Sequence, residues 1–172
     1  MTTTRHKKEA PKSVKAAVIT VSDSLSDSRE GQTKKDISGA YISDALKDAG
    51  HDAVSYSIVP DSERSIKDAI NHAIESYSPD IIITTGGTGI TKRDVTIEAV
   101  SDILDKTLDG FGELFRRESF ERLGSAALLS RAIAGVVNGT VIFSLPGSPD
   151  AVRTGMNIIL KEAGHIVRHA KE

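Results

Sequence analysis

Asp80-Ile81-Ile82-Ile83-Thr84-Thr85-Gly86-Gly87-Thr88-Gly89 is the most apolar and β-branched run of the chain, and it ends directly in a glycine cluster. Strand side chains alternate between two faces, so an unbroken run of this kind is apolar on both and belongs inside a parallel sheet covered by helices. The glycines mark the turn out of that strand toward a helix. There, backbone N–H groups can face an anion and missing Cβ atoms let it approach closely. A bare Gly-Gly-Thr-Gly is equally a tight structural turn. It is not the P-loop, which ends in Lys-Ser/Thr, nor the dinucleotide fingerprint, which needs G-x-G-x-x-G spacing.

Outward from this run the same grammar repeats. Lys15–Val21 (KAAVITV), Val54–Val59 and Val141–Leu145 read as further strands. Ile37, Tyr41, Ile42, Ala45, Leu46 and Ala49 recur at helical spacing between Asp36, placed to cap the start, and Gly50, placed to end it. Ser62–Tyr77 carries Ile66, Ala69, Ile70, Ala73 and Ile74 on one helical face. Helices are also expected over about Val95–Leu104, Phe111–Leu123 and Ser125–Ile133. A last one should start at Ser148-Pro149 as N-cap and first-turn proline and reach about His169. Val136-Val137-Asn138-Gly139-Thr140-Val141 is a hairpin signal, because both turn residues tolerate positive φ. Alternating strands and helices imply an α/β three-layer sandwich, a mostly parallel sheet with one antiparallel hairpin strand. Residues 1–13 read as a mobile tail and 14–172 as one domain.

The chain has 172 residues, a formal net charge of -2 and no cysteine. That length can bury a core unaided. The charge argues against a nucleic-acid binder held by bulk electrostatics, and the lack of cysteine excludes disulfides, thiolate metal sites and a cysteine nucleophile. Neither a signal-peptide pattern nor an apolar run of the roughly 20 residues needed for a membrane helix is found, so a cytoplasmic protein is expected.

Ligands of such folds sit beyond the carboxyl ends of the strands, which singles out the loops Ser22–Lys35, Pro60–Asp61, Gly86–Asp94 and Pro146–Ser148. Thr85, Gly86, Gly87, Thr88 and Gly89 form a candidate phosphate cradle. Gly147 and Ser148 form a second one, in which Ser148 also caps a helix. Asp61 and Asp94 should stand on the rim, where paired carboxylates beside phosphates suit Mg²⁺; each could instead cap a helix, Asp94 through a capping box with Thr91. Ser22 and Asp23 could hydrogen-bond a polar ligand or merely form an Asx turn. Lys92, Arg93 and Arg131 could neutralise phosphate or simply be solvated. His165 and His169, four residues apart on the last helix, have no third ligand and read as surface residues.

The stretch Thr84–Ala99, with its Arg93-Asp94-Val95-Thr96 and Glu98-Ala99, together with Leu145-Pro146-Gly147-Ser148-Pro149, resembles the molybdopterin adenylyltransferase family (MoaB/MogA). Val21-Ser22-Asp23, Val59-Pro60-Asp61, Gly110-Phe111-Gly112-Glu113 and Ser130-Arg131-Ala132 strengthen the likeness, which covers nearly all of the chain from Val14. Phe115–Val137 is most similar to the MoaB branch, some of whose members lack the Arg-Asp pair; this chain keeps it. The resemblance implies the molybdopterin-binding fold, a homotrimer or homohexamer, and transfer of the adenylyl group of ATP onto molybdopterin with release of pyrophosphate. By the same resemblance Asp61 and Asp94 are catalytic and hold Mg²⁺, while Ser22, Asp23, Thr85–Gly89, Arg93, Gly147 and Ser148 bind substrates. A downstream metal-insertion protein is an implied partner. A non-catalytic molybdopterin carrier and a nucleotide or pterin-phosphate hydrolase are the rival readings.

Overall fold

The computed structural model describes residues 10–27 and 35–172. The expected loop Ser22–Lys35 and the tail 1–13 thus lie partly outside the described residues. In chain order the elements are β1 (Lys15–Val21), α1 (Asp23–Ser26), α2 (Ile37–Asp48), β2 (Asp52–Val59), α3 (Glu63–Tyr77), β3 (Ile81–Thr85) and α4 (Thr96–Ser101). They continue with β4 (Lys106–Thr107), α5 (Asp109–Leu123), a 3₁₀ turn (Gly124–Leu129), β5 (Ile133–Val137), β6 (Thr140–Leu145) and α6 (Pro149–Ala170).

One sheet runs in the order β2-β1-β3-β6-β5-β4. The first four strands are parallel neighbours, and β5 and β4 close the sheet antiparallel. The glycine-terminated run is β3, one of the two central strands: all of Ile81–Thr85 is buried. Alternation sorts its neighbours onto two cores. Ala16, Val18, Ile81, Ile83, Val141 and Phe143 pack against α2, α5 and α6, whereas Ala17, Ile19, Val21, Ile82 and Ile142 pack against α3 and α4. Helices on both faces make the three-layer α/β fold expected from the sequence.

Local signals act where expected. The Asp36 carboxylate accepts from the Gly39 N–H at 2.8 Å and Ser148 Oγ from the Ala151 N–H at 3.3 Å, capping α2 and α6. The hairpin turns on Asn138 (φ 48°) and Gly139 (φ 77°), with Val137 paired to Thr140.

Four elements depart from the sequence reading. Ser125–Ile133 is not one helix: a 3₁₀ turn ends at Leu129 and Ile133 already belongs to β5. Helix α4 spans Thr96–Ser101 and is shorter than expected. A second antiparallel strand, β4, exists through its pairing with Val136 and Gly135. Four residues of the loop after β1 form α1.

Phe143 is fully buried, its ring 5.0 Å from that of Phe111 at an interplanar angle of 67°. Phe143→Ala should cost about 3–5 kcal/mol of stability, read from the urea midpoint, because the cavity lies between a central strand and two helices that cannot both collapse into it. A change within about 0.5 kcal/mol, the range of surface substitutions, would contradict this packing.

Candidate active site at the carboxyl edge of the sheet

The ends of β1, β3 and β6 reach one edge in register, Thr20 beside Thr85 and Thr85 beside Leu145. The loops that leave them are fastened together. Gly86 N–H donates to the Leu145 carbonyl at 3.0 Å, Thr85 Oγ1 to the Pro146 carbonyl at 3.1 Å, and Ser38 Oγ to the Gly147 carbonyl at 2.8 Å. A β-carbon on Gly86 would stand 2.2 Å from the Val21 carbonyl oxygen, and one on Gly147 would stand 3.2 Å from the Gly86 Cα. Gly86 (φ 98°) and Gly87 (φ 62°) also occupy the left-handed region that L side chains resist. Backbone therefore meets backbone where the three loops cross.

Buried Thr96 completes the turn. Its hydroxyl donates to the Gly86 carbonyl at 2.9 Å and its N–H to the Gly87 carbonyl at 2.9 Å. The start of α4 is thereby locked under the glycines. Ser22, Thr85, Gly86 and Gly147 share a hollow of about 280 Å³, bordered also by Thr20, whose buried hydroxyl has no hydrogen-bond partner among the described residues. Across Pro149 lies a recess of about 610 Å³ lined by Ser148, Arg122 and Arg153. Two hollows thus flank the Pro146–Pro149 loop.

The two aspartates enter from the neighbouring loop and from the far end of the glycine turn. Asp23 N–H donates to Asp61 Oδ2 at 2.9 Å, and Asp61 N–H donates back to Asp23 Oδ1 at 2.9 Å, so α1 and the loop after β2 hold each other. Asp61 does not cap α3; Ser62 does, its Oγ accepting from the Ser65 N–H at 3.5 Å. Asp94 does not cap α4, whose N-cap is Val95. Its Oδ2 accepts from the Thr91 N–H at 2.9 Å and the Thr91 hydroxyl at 2.6 Å, the back-reaching half of a capping box. Both carboxylates press on the glycines: a β-carbon on Gly87 would lie 2.8 Å from Asp61 Oδ1, and one on Gly89 2.7 Å from Asp94 Oδ2. Neither carboxylate lines the two hollows.

Their environments pull them in opposite directions. Burial raises the Asp61 pKa, and the charges of Asp23 and Asp94 push the same way against the Asp23 N–H and Arg93. Hydrogen bonds from Thr91 lower that of Asp94, with Arg131 assisting. Asp61 is thus a partly desolvated carboxylate facing two others, a setting relieved by a cation. Among the described residues no group of three or more His, Cys, Asp or Glu is placed to hold an ion. The carboxylates of Asp61 and Asp94 are the donor type that suits Mg²⁺, which takes one or two protein carboxylates and completes its shell with water and substrate oxygens.

Thr88 is buried in the turn, and Arg93 is exposed beside it, within electrostatic reach of Asp61. Arg131, one of the cations that could neutralise phosphate, braces the loop: Nη1 donates to the Gly89 carbonyl at 3.1 Å and Nη2 to Glu98 Oε1 at 2.5 Å. Ser38 and Thr96 also hold the loops, through the Gly147 and Gly86 carbonyls. For Thr96 the available signal was a hydroxyl at the start of a helix immediately after a glycine turn.

The family described as "Probable molybdopterin binding domain" matches residues 17–165. The chain belongs to this family. It is 51% identical over 168 residues to the molybdenum cofactor biosynthesis protein B of Bacillus cereus, covering 96% of each chain. It is 48% identical over 171 residues to the molybdopterin adenylyltransferase of Pyrococcus furiosus, covering 97% of each. The crystal structure of the tungsten cofactor synthesizing protein MoaB from Pyrococcus furiosus has the same fold, with a TM-score of 0.85 at 46% identity over 95% of this chain and 100% of that one. Membership thus extends over both strand-end loops and both aspartates.

For this member of the family, Gly86→Ala should lower stability by more than about 1 kcal/mol, since it adds both a strained φ and a clash with backbone. Gly110→Ala, where no atom lies within 4 Å of the added carbon at the first turn of α5, should be neutral or stabilising. Equal effects of the two, measured by urea denaturation, would contradict the crossing of loops described above.

Proposed function

We propose that this chain is a molybdopterin adenylyltransferase that joins the terminal phosphate of molybdopterin to the adenylyl group of ATP and releases pyrophosphate. The observation that carries the reading is the crossing of the loops after β1, β3 and β6 at glycines, beside carboxylates that face one another. The names of the Bacillus and Pyrococcus relatives support it.

The reaction places two polyanions side by side. An oxygen of the pterin phosphate forms a bond to the α-phosphorus of ATP, and the bond from that phosphorus to the bridging oxygen of the β-phosphate breaks. The nucleophile is already ionised at neutral pH, so no strong general base is needed. Catalysis rests on alignment and charge. In our reading Thr85, Gly86, Gly87, Thr88 and Gly89 hold phosphate through main-chain N–H groups and hydroxyls. Gly147 and Ser148 do the same at the start of α6, with Arg93 adding positive charge. Ser22 and Asp23 orient the pterin or the nucleotide, and Asp23 also fixes Asp61 through the reciprocal hydrogen bonds. Asp61 and Asp94 would hold Mg²⁺, which when bound offsets the negative charge of the phosphates.

We assign the reaction to the cytoplasm, as an assembly of three or six copies that hands its product to a metal-insertion protein. The exposed apolar side chains Leu114, Phe120, Leu123, Leu128 and Leu129 on α5 and the 3₁₀ turn support association of copies. Among the described residues no helix is long and apolar enough to cross a membrane.

Purified protein given molybdopterin and Mg-ATP should release one pyrophosphate for each adenylylated pterin. Asp61→Ala and Asp94→Ala should each lower kcat by about 10²-fold or more, with circular dichroism unchanged. Pterin binding without pyrophosphate release would instead identify a carrier, and free AMP without a pterin adduct a hydrolase. Full turnover in both variants would remove the carboxylates from the mechanism.

A further inference from the structure

Four carbonyls at the strand-end edge belong to glycines, and each is held by a residue from elsewhere in the fold. Thr96 holds two of them. Its hydroxyl donates to the Gly86 carbonyl and its N–H, a helix-start donor without an intrahelical acceptor, to the Gly87 carbonyl, both at 2.9 Å. Arg131, itself anchored on Glu98, holds the Gly89 carbonyl at 3.1 Å, and Ser38 in the first turn of α2 holds the Gly147 carbonyl at 2.8 Å. A trans peptide unit is planar, so its N–H points opposite to its C=O; none of the described peptides is cis. Fixing these carbonyls therefore fixes the N–H groups of the residues that follow, Gly87, Thr88, Ile90 and Ser148. Among the described residues those four N–H groups have no hydrogen-bond acceptor. Left unheld, a peptide unit beside glycine turns over at low cost. A reversed unit would present its carbonyl, the negative end of its dipole, to a phosphate.

We infer that Ser38, Thr96 and Arg131 are positioning residues that aim these N–H groups at substrate phosphate, and that the Ile90 N–H is a further donor to it. The inference rests on the phosphate-binding reading of this edge. None of the three side chains contacts phosphate in this scheme; each acts through the peptide unit it holds. They come from α2, from the start of α4 and from the segment before β5, so the donors of two loops are set by residues outside those loops. At exposed Ile90 the holding group is a charged donor, whose hydrogen bonds are the stronger kind. Donors already aimed need no reorientation as charge moves during phosphoryl chemistry, the condition under which main-chain dipoles stabilise a transition state most.

The test is NMR of the full chain titrated with Mg-pyrophosphate, following backbone N–H and glycine ¹³C carbonyl signals, alongside steady-state kinetics. In the parent protein the N–H signals of Gly87, Thr88, Ile90 and Ser148 should move together. Ser38→Ala should shift the Gly147 carbonyl signal and weaken the response of Ser148. Arg131→Gln should do the same to Gly89 and Ile90, and Thr96→Val to Gly86 and Gly87. Each variant should lower kcat by about tenfold while KM for Mg-ATP stays within about threefold. Arg131→Lys and Thr96→Ser, which keep a donor, should recover most of the loss. A weakened response spread over all four donors in every variant would overturn the inference. So would an Ile90 N–H that ignores pyrophosphate in the parent protein, or full kcat in both Ser38→Ala and Arg131→Gln. Thr96 is buried; if Thr96→Val does not fold, the other two variants decide. Donors that answer pyrophosphate as described, in a protein that makes no adenylylated pterin, would uphold the positioning and refute the enzymatic reading.

Discussion

Where β1 and β3 end, main chain packs on main chain: the carbonyl of Val21 occupies the space that a side chain at residue 86 would need. That contact fixes much else at this edge. It requires glycine, it brings the loop after β6 against the same residue through Gly147, and it draws Thr96 beneath the turn to satisfy the two carbonyls that the turn exposes. A cradle assembled from three different strands can be no looser than the sheet that carries it. The buried alternation of Ile81, Ile82 and Ile83 between two cores is therefore part of the functional argument.

Charge is arranged around this backbone junction with equal economy. The reciprocal bonds between Asp23 and Asp61 join two loops through their carboxylates, so the side chains that lend the rim its negative charge also hold it in place. Burial keeps Asp61 reluctant to ionise while Thr91 favours ionisation of Asp94, and Arg131 ties the far end of the glycine turn to Glu98. The two carboxylates of the rim therefore differ, Asp94 being held in its ionised form by its neighbours while Asp61 is held back from it by burial.

Much of this was legible in the residues themselves. β-branched runs ending in glycine or proline gave the central strands, and Asp36, Ser148 and Asn138-Gly139 gave caps and a turn, because each acts through neighbours in sequence. What sequence could not show depends on distant partners. Ser-Ala-Ala-Leu-Leu-Ser-Arg-Ala-Ile suits a helix by periodicity, yet Leu128 and Leu129 point outward and Ile133 takes its place by pairing with Ser144. Lys106-Thr107 has no apolar pattern and becomes a strand only beside Val136 and Gly135. Asp61 and Asp94 read equally well as caps until Ser62 and Val95 are seen in those positions. The brace by Arg131 spans 42 residues and leaves no local trace.

If the fold works as proposed, loops from separate strands form one phosphate-binding site. Amide NMR of the folded protein titrated with Mg-ATP and then molybdopterin tests it most directly. The N–H signals of Gly86, Gly87, Gly89, Gly147 and Ser148 should shift along one saturating curve for each ligand. Shifts confined to one loop, or centred away from this edge, would contradict it.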